Sequence, residues 1–301
     1  MNRMSKFGFY IRSFRLRTLP LSVSGIILGG MLAASDGGFD AAVFALAIST
    51  TLLLQILSNV ANEYGDYLHG TDTEQRNGMR YSLAEGGLSE SDFRRMIAIF
   101  VVLSCISGLA LLWTAMDVLF SPDGLAMIAL GAAAVLAALG YTLGKHPYGY
   151  VGLGDLFVLL FFGFASTCGS YFLLSGRVDA SVLLPASGCG LLAVGVLNVN
   201  NIRDMETDRA TRRTVPIMLG ERRAKIYHAV LIAGAFAAFS VYRLVHGVGP
   251  QGWLFWILAP LFAVHVYRLV RGSGRELDAR LPELSILTLA LCICYGVAGL
   301  F

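Results

Sequence analysis

The chain has 301 residues, of which 56% are hydrophobic and only 14% are charged. Soluble domains are nearer a quarter charged, so this much apolar surface cannot be hidden in one water-facing core. The net charge of +3 says little until the charges are placed; a lipid bilayer is the expected surrounding and no nucleic-acid partner is expected.

The apolar runs are long enough to cross a hydrocarbon core of about 30 Å as helix. Helix is expected because backbone groups in lipid must be satisfied internally. A β-barrel would show short alternating segments, and stretches such as 126–139 do not alternate. The expectation is an all-α integral membrane protein, one polytopic unit over residues 1–301.

Arg3, Lys6, Arg12, Arg15 and Arg17 precede the first apolar run, a pattern that favours an uncleaved first helix. Spans are predicted at 18–35, 41–62, 96–116, 124–143, 153–175, 182–202, 226–243, 252–270 and 283–301. Nine spans put 21 of the 23 Lys and Arg on one side, leaving Arg177 and Arg243 opposite. By the positive-inside rule the rich side is cytoplasmic, so the N-terminus is cytoplasmic and the C-terminus opposite. Fifteen of the 20 acidic residues follow the same side. Cys105, Cys168, Cys189, Cys292 and Cys294 all lie in apolar runs and read as small core residues.

The second and sixth spans end alike, in Asn59-Val60-Ala61-Asn62 and Asn198-Val199-Asn200-Asn201, and each runs into an acidic cluster. The first continues Glu63-Tyr64-Gly65-Asp66-Tyr67-Leu68-His69-Gly70-Thr71-Asp72. The second continues Ile202-Arg203-Asp204-Met205-Glu206-Thr207-Asp208-Arg209. Asn62 and Asp66 are four apart, as are Asn200, Asp204 and Asp208, which stacks side chains on one helix face. Gly65 and Gly70 predict a break in the first helix. Two such carboxylate faces would suit a hard divalent cation, and Mg²⁺ completes its shell with substrate phosphates. The arginines that follow (Arg76 and Arg80; Arg209, Arg212 and Arg213) suit phosphate oxygens. Glu74, Glu90, Asp92 and Glu221 read as solvated loop charges.

A third segment, Tyr141-Thr142-Leu143-Gly144-Lys145-His146-Pro147-Tyr148-Gly149-Tyr150-Val151-Gly152-Leu153-Gly154-Asp155, joins the fourth and fifth spans on the same side. Lys145 is apt for a phosphate oxygen. Asp155 enters an apolar run, where carboxylates are usually functional.

Together these stretches resemble the UbiA superfamily of membrane prenyltransferases. With Arg17-Thr18-Leu19-Pro20, the 141–155 segment resembles the branch that prenylates 1,4-dihydroxy-2-naphthoate in menaquinone synthesis. Glu63 stands where that branch usually has Asp, and the loop over 77–87 lacks its usual proline.

The resemblance implies nine helices around a central cavity capped on the cytoplasmic side, in a bacterial inner membrane. It implies Mg²⁺ held by Asn62, Asp66, Asp72, Asp204 and Asp208. Polyprenyl diphosphate and 1,4-dihydroxy-2-naphthoate are the implied substrates, with CO₂ lost and a demethylmenaquinol formed. Asn62, Arg76, Arg80, Lys145, Tyr148 and Arg213 are the implied substrate contacts. Asp155, Tyr141 and Lys145 are the implied catalytic groups. A sister enzyme with 4-hydroxybenzoate, homogentisate or haem as acceptor is the alternative. A cation transporter is a further one, disfavoured because its carboxylates would lie near the midplane.

Overall fold

A computed structural model describes residues 5–70, 83, 85 and 87–300. Among them the chain is helical and without strands. The helices in order are α1 (Lys6–Ser13), α2 (Leu19–Ser35), α3 (Ala41–Leu68), α4 (Glu90–Ala115), α5 (Pro122–Gly140), α6 (Gly154–Val158) and α7 (Ser166–Ser175). They continue as α8 (Leu183–Arg203), α9 (Met205–Asp208), α10 (Val215–Leu219), α11 (Glu221–Val245), α12 (Ala259–Arg271) and α13 (Arg280–Val297). Nine helical stretches among the described residues are long and apolar enough to cross a membrane, in agreement with the nine predicted spans.

Several boundaries differ from expectation, each for a local reason. The first span is preceded by a separate helix, α1, because Arg15 takes a left-handed backbone at φ 49° and turns the chain before α2. The stretch from Lys6 to Ser13 is anchored rather than free. Lys6 Nζ and Tyr10 Oη both donate to Asp92 Oδ1 at 3.0 Å, and Arg12 donates to Glu85 at 2.7 Å. Asp92 is therefore not a solvated loop charge. It is buried and closes a capping box with Ser89 at the start of α4. Glu90 accepts from Tyr64 Oη at 3.2 Å, whereas Glu221 is exposed and pairs with Lys225 one turn along.

The fifth span is one helix with an inserted π segment over Leu159–Ala165 between α6 and α7. There α8 comes close: a Cβ built on Gly163 would lie 2.8 Å from Gly190 Cα. Small residues on both faces let the two backbones approach, which is how membrane helices pack without a hydrophobic driving force. The span Ala180–Arg203 is mostly buried and Pro122–Gly140 hardly at all, so α8 is interior and α5 is left largely uncovered by protein. Helix α8 packs on α2, α11 and α13, and α3 packs on α4. Cys189 and Cys292 are core residues and Cys168 and Cys294 half-buried, but Cys105 is exposed. An apolar run identifies a span; it does not say which side of that span is covered by protein.

Candidate active site

Helix α3 does not break at Gly65. It runs to Leu68 and ends at His69 and Gly70, the latter at φ 67°. Gly65 is needed for another reason: a Cβ there would lie 2.5 Å from Thr142 Oγ1 and 2.6 Å from the Thr142 carbonyl oxygen. The missing side chain lets the segment after α5 lie directly on the end of α3. Asn62 and Asp66 thus remain one turn apart on a continuous helix. Thr142 Oγ1 lies 3.2 Å from Asn62 Oδ1 and 3.1 Å from the Ala61 carbonyl.

The 141–155 segment wraps this end. Gly144 and Gly152 adopt φ 97° and 86°, which lets the chain double back, and Gly149 N donates to the Tyr141 carbonyl at 3.0 Å. The fold brings Tyr150 onto the first motif, where its hydroxyl donates to Asp66 Oδ1 at 2.8 Å. Burial pushes the Tyr141 hydroxyl up to about 12, so it stays protonated across ordinary pH and can act as a donor. Tyr148 is committed elsewhere: its hydroxyl donates to the Ala137 carbonyl at 2.8 Å and its ring stacks on Phe157 at 4.0 Å. Lys145 is exposed at the tip. Asp155 opens α6 and accepts from Tyr227 Oη of α11 at 2.9 Å.

The second motif arrives from α8. The backbone bonds Asp204 N to Asn200 O and Asp208 N to Asp204 O persist at 3.1 and 2.9 Å, but the helix changes direction at Asp204. The two carboxylates are drawn to different arginines. Asp204 is gripped by both ends of the Arg203 guanidinium at 2.8 and 2.7 Å, and Arg203 also reaches Asp278 and Asn200 Oδ1, each at 2.8 Å. Asp208 faces Arg212, whose Nε lies 3.8 Å from its Oδ2. Arg212 Nη2 makes a short ion pair with Asp66 Oδ1, and its guanidinium carbon lies 4.5 Å from the centre of the Tyr150 ring.

The structure therefore joins Asp66, Asp208 and the 141–155 segment at one place, with Asn62 a turn away. Asp204 is adjacent in the chain but paired outward, toward the last connection. Arg213 is exposed and contributes its backbone N–H to the Tyr150 carbonyl at 2.9 Å. Asp72, Arg76 and Arg80 lie outside the described residues. Three partners were not readable beforehand as partners: Tyr150 and Arg212 on Asp66, and Tyr227 on Asp155. Tyr150 and Arg212 stand in stretches already singled out, while Tyr227 carries no local signal because it lies in an apolar run 72 residues from Asp155.

Between Tyr141, Gly154 and Asp155 on one side and Asn201 and Thr214 on the other runs a cleft too narrow to admit a water molecule. Two buried oxygens at this cleft, Asn201 Oδ1 and Thr214 Oγ1, have no hydrogen-bond partner among the described residues.

The residues fit a hard divalent cation. The Asn62 amide oxygen and the Asp66 and Asp208 carboxylates form an all-oxygen set in which one guanidinium is shared by two carboxylates. Among the described residues, no three acidic, histidine or cysteine side chains form a complete cage. Mg²⁺ is typically bound in just this way, by one or two carboxylates with phosphates and water filling the shell.

The chain is 41% identical over 277 residues to 1,4-dihydroxy-2-naphthoate octaprenyltransferase of Escherichia coli (strain K12), covering 92% of this chain and 88% of that protein. It is 36% identical to the protein of the same name from Haemophilus influenzae, over 97% of this chain and 96% of the other. In fold it resembles a UbiA homolog from Archaeoglobus fulgidus bound to GPP and Mg²⁺, with TM-score 0.64 and 16% identity over 97% of this chain and 99% of that one. A UbiA homolog from Aeropyrum pernix K1 gives TM-score 0.63 at 19% identity, covering 96% of each chain. Residues 23–292 match the description UbiA prenyltransferase family, and the chain belongs to that family.

Proposed function

We propose that this protein transfers a polyprenyl group from a polyprenyl diphosphate to 1,4-dihydroxy-2-naphthoate, with loss of CO₂, giving a demethylmenaquinol. The reading places residues 1–301 as one unit in a bacterial inner membrane with the N-terminus cytoplasmic. The observation that carries it is the 41% identity to the Escherichia coli enzyme, sustained over nearly the whole of both chains.

The geometry suits the chemistry. The allylic C–O bond breaks, leaving a delocalised cation and a diphosphate. Mg²⁺ would be held by Asn62, Asp66, Asp72 and Asp208, joined by Asp204 on its release from Arg203, and would offset the charge that grows on the departing oxygen. Lys145, Arg76, Arg80 and Arg213 would bind the phosphate oxygens by charge-assisted contacts. The apolar helices hold the prenyl tail and keep water from the cation. Asp155 and Tyr141 would orient the acceptor, whose ring carbon forms the new C–C bond. The bond to the carboxylate then breaks, CO₂ leaves, and its electron pair restores the aromatic ring.

The acceptor assignment gains support from the cleft. The Asn201 and Thr214 oxygens beside Tyr141 and Asp155 lack hydrogen-bond partners among the described residues, and the hydroxyls of an acceptor placed there would satisfy them, where an unmade hydrogen bond is costly. The test is purified protein in lipid with Mg²⁺, labelled polyprenyl diphosphate and a panel of aromatic acceptors. Prenylation of the naphthoate with release of CO₂ is expected. Prenylation of 4-hydroxybenzoate in its place would leave the family intact and overturn the acceptor.

A further inference from the structure

Arg212 stands between the two motifs. Its side chain is buried, its Nη2 is ion-paired to Asp66, its Nε lies 3.8 Å from Asp208 Oδ2, and its flat face rests on Tyr150. The Tyr150 hydroxyl donates to the same Asp66 oxygen at 2.8 Å, so Tyr150 fixes the carboxylate with its hydroxyl and the guanidinium with its ring face. The neighbouring Arg213 is exposed. A guanidinium and a divalent cation make competing demands on the same carboxylate oxygens. A cation ligated by Asp66 and Asp208 would sit where Arg212 now bridges them, and two positive charges at that separation repel strongly in a buried setting.

We propose that Arg212 is an exchange counter-ion: it bridges Asp66 and Asp208 until a divalent cation takes those oxygens, and it then turns to the diphosphate that arrives with the cation. This rests on the prenyltransferase reading above. The physical consequence is a linkage. A cation arriving alone must displace Arg212 into a buried site with no new anion to receive it. A cation arriving with diphosphate supplies that anion, and guanidinium forks match phosphate oxygens well. Arg212 thus opposes the cation alone and favours the cation with diphosphate, which makes the two bind together. A charge that was merely nearby would oppose the cation in both circumstances.

The test is binding, read without turnover. Mg²⁺ affinity is measured calorimetrically on the full-length protein in lipid nanodiscs, with and without inorganic diphosphate, for the wild type, Arg212→Gln and Arg213→Gln. Arg212→Gln should bind Mg²⁺ alone more tightly than wild type, by about tenfold or more, the scale typical of coupled sites. With diphosphate present the order should reverse. Arg213→Gln should not tighten Mg²⁺ binding. If Arg212→Gln requires Mg²⁺ to stay folded, its thermal midpoint should rise more steeply with Mg²⁺ than that of wild type, which reads the same preference. Unchanged or weaker binding of Mg²⁺ alone by Arg212→Gln, or tighter binding in both conditions, would overturn the exchange. Failure of the wild type to bind Mg²⁺ and diphosphate at all would instead overturn the reading of the site.

Discussion

Tyr150 and Arg212 meet on one oxygen of Asp66. The hydroxyl of Tyr150 donates to Asp66 Oδ1 at 2.8 Å, Arg212 Nη2 pairs with the same atom, and the guanidinium lies over the Tyr150 ring at 4.5 Å. Three stretches far apart in sequence are locked by this contact: the end of α3, the 141–155 segment and the turn after α9. The aromatic face does more than pack. It fixes the plane of a guanidinium in a buried place, where a cation–π contact is strongest.

The first prediction concerns that contact. Tyr150→Phe keeps the ring beneath Arg212 and removes only the hydroxyl. Turnover should fall about 3- to 10-fold, as expected for one net hydrogen bond of ordinary strength. Tyr150→Leu removes the ring as well and should fall further. Equal losses in the two variants, in a labelled-substrate assay, would show that the ring face contributes nothing.

Asp66→Ala and Asp208→Ala should each reduce turnover on the order of 10²-fold or more, the usual scale for groups that stabilise charge in a transition state. The same variants should remain folded by circular dichroism. A variant with near-normal rate at ordinary Mg²⁺ would remove that residue from the metal set.

Tyr227→Phe tests the acceptor end. Its hydroxyl is 2.9 Å from Asp155 Oδ2, and loss of that donor frees the carboxylate to turn. The KM for the aromatic acceptor should rise severalfold, as should that of Asp155→Asn, with little change in the KM for polyprenyl diphosphate. Lys145→Ala should do the reverse, weakening the diphosphate substrate because a charge-assisted contact is lost. Parallel changes in both KM values for all three variants would mean the two ends of the site are not separable.

Gly65→Ala is a structural test. A Cβ there meets two Thr142 oxygen atoms within 2.6 Å, one of them backbone. Although alanine is the better helix former, the overpacking should destabilise the protein by roughly 1–3 kcal/mol. A thermal midpoint equal to or above wild type in detergent would show that the 141–155 segment does not lie on α3 as described.

Orientation is the last prediction. Reporter fusions should place the N-terminus in the cytoplasm and the C-terminus opposite, because 21 of 23 basic residues fall on one side of a nine-span chain. Termini on the same side would refute the layout.

Much of this protein was legible from the chain alone, because lipid imposes a simple rule. Every backbone group in the bilayer must bond internally, so length and apolar character translate directly into spans. The number of spans and the clustering of charge at one end follow from that rule, and the acidic motifs with their amides stand out because carboxylates at span ends are too costly to be incidental.

The tertiary structure decided what side chains do to one another across the bundle. Gly65 reads locally as a break, yet α3 continues through it because the contact it relieves comes from Thr142, 77 positions later. Asp204 and Asp208 read as equals at a spacing of four, yet one is claimed by Arg203 and the other shares Arg212 with Asp66. Helical spacing predicts which face a residue shares, but a carboxylate's partner depends on which cation the rest of the fold brings within about 4 Å, and that is a property of packing rather than of sequence distance.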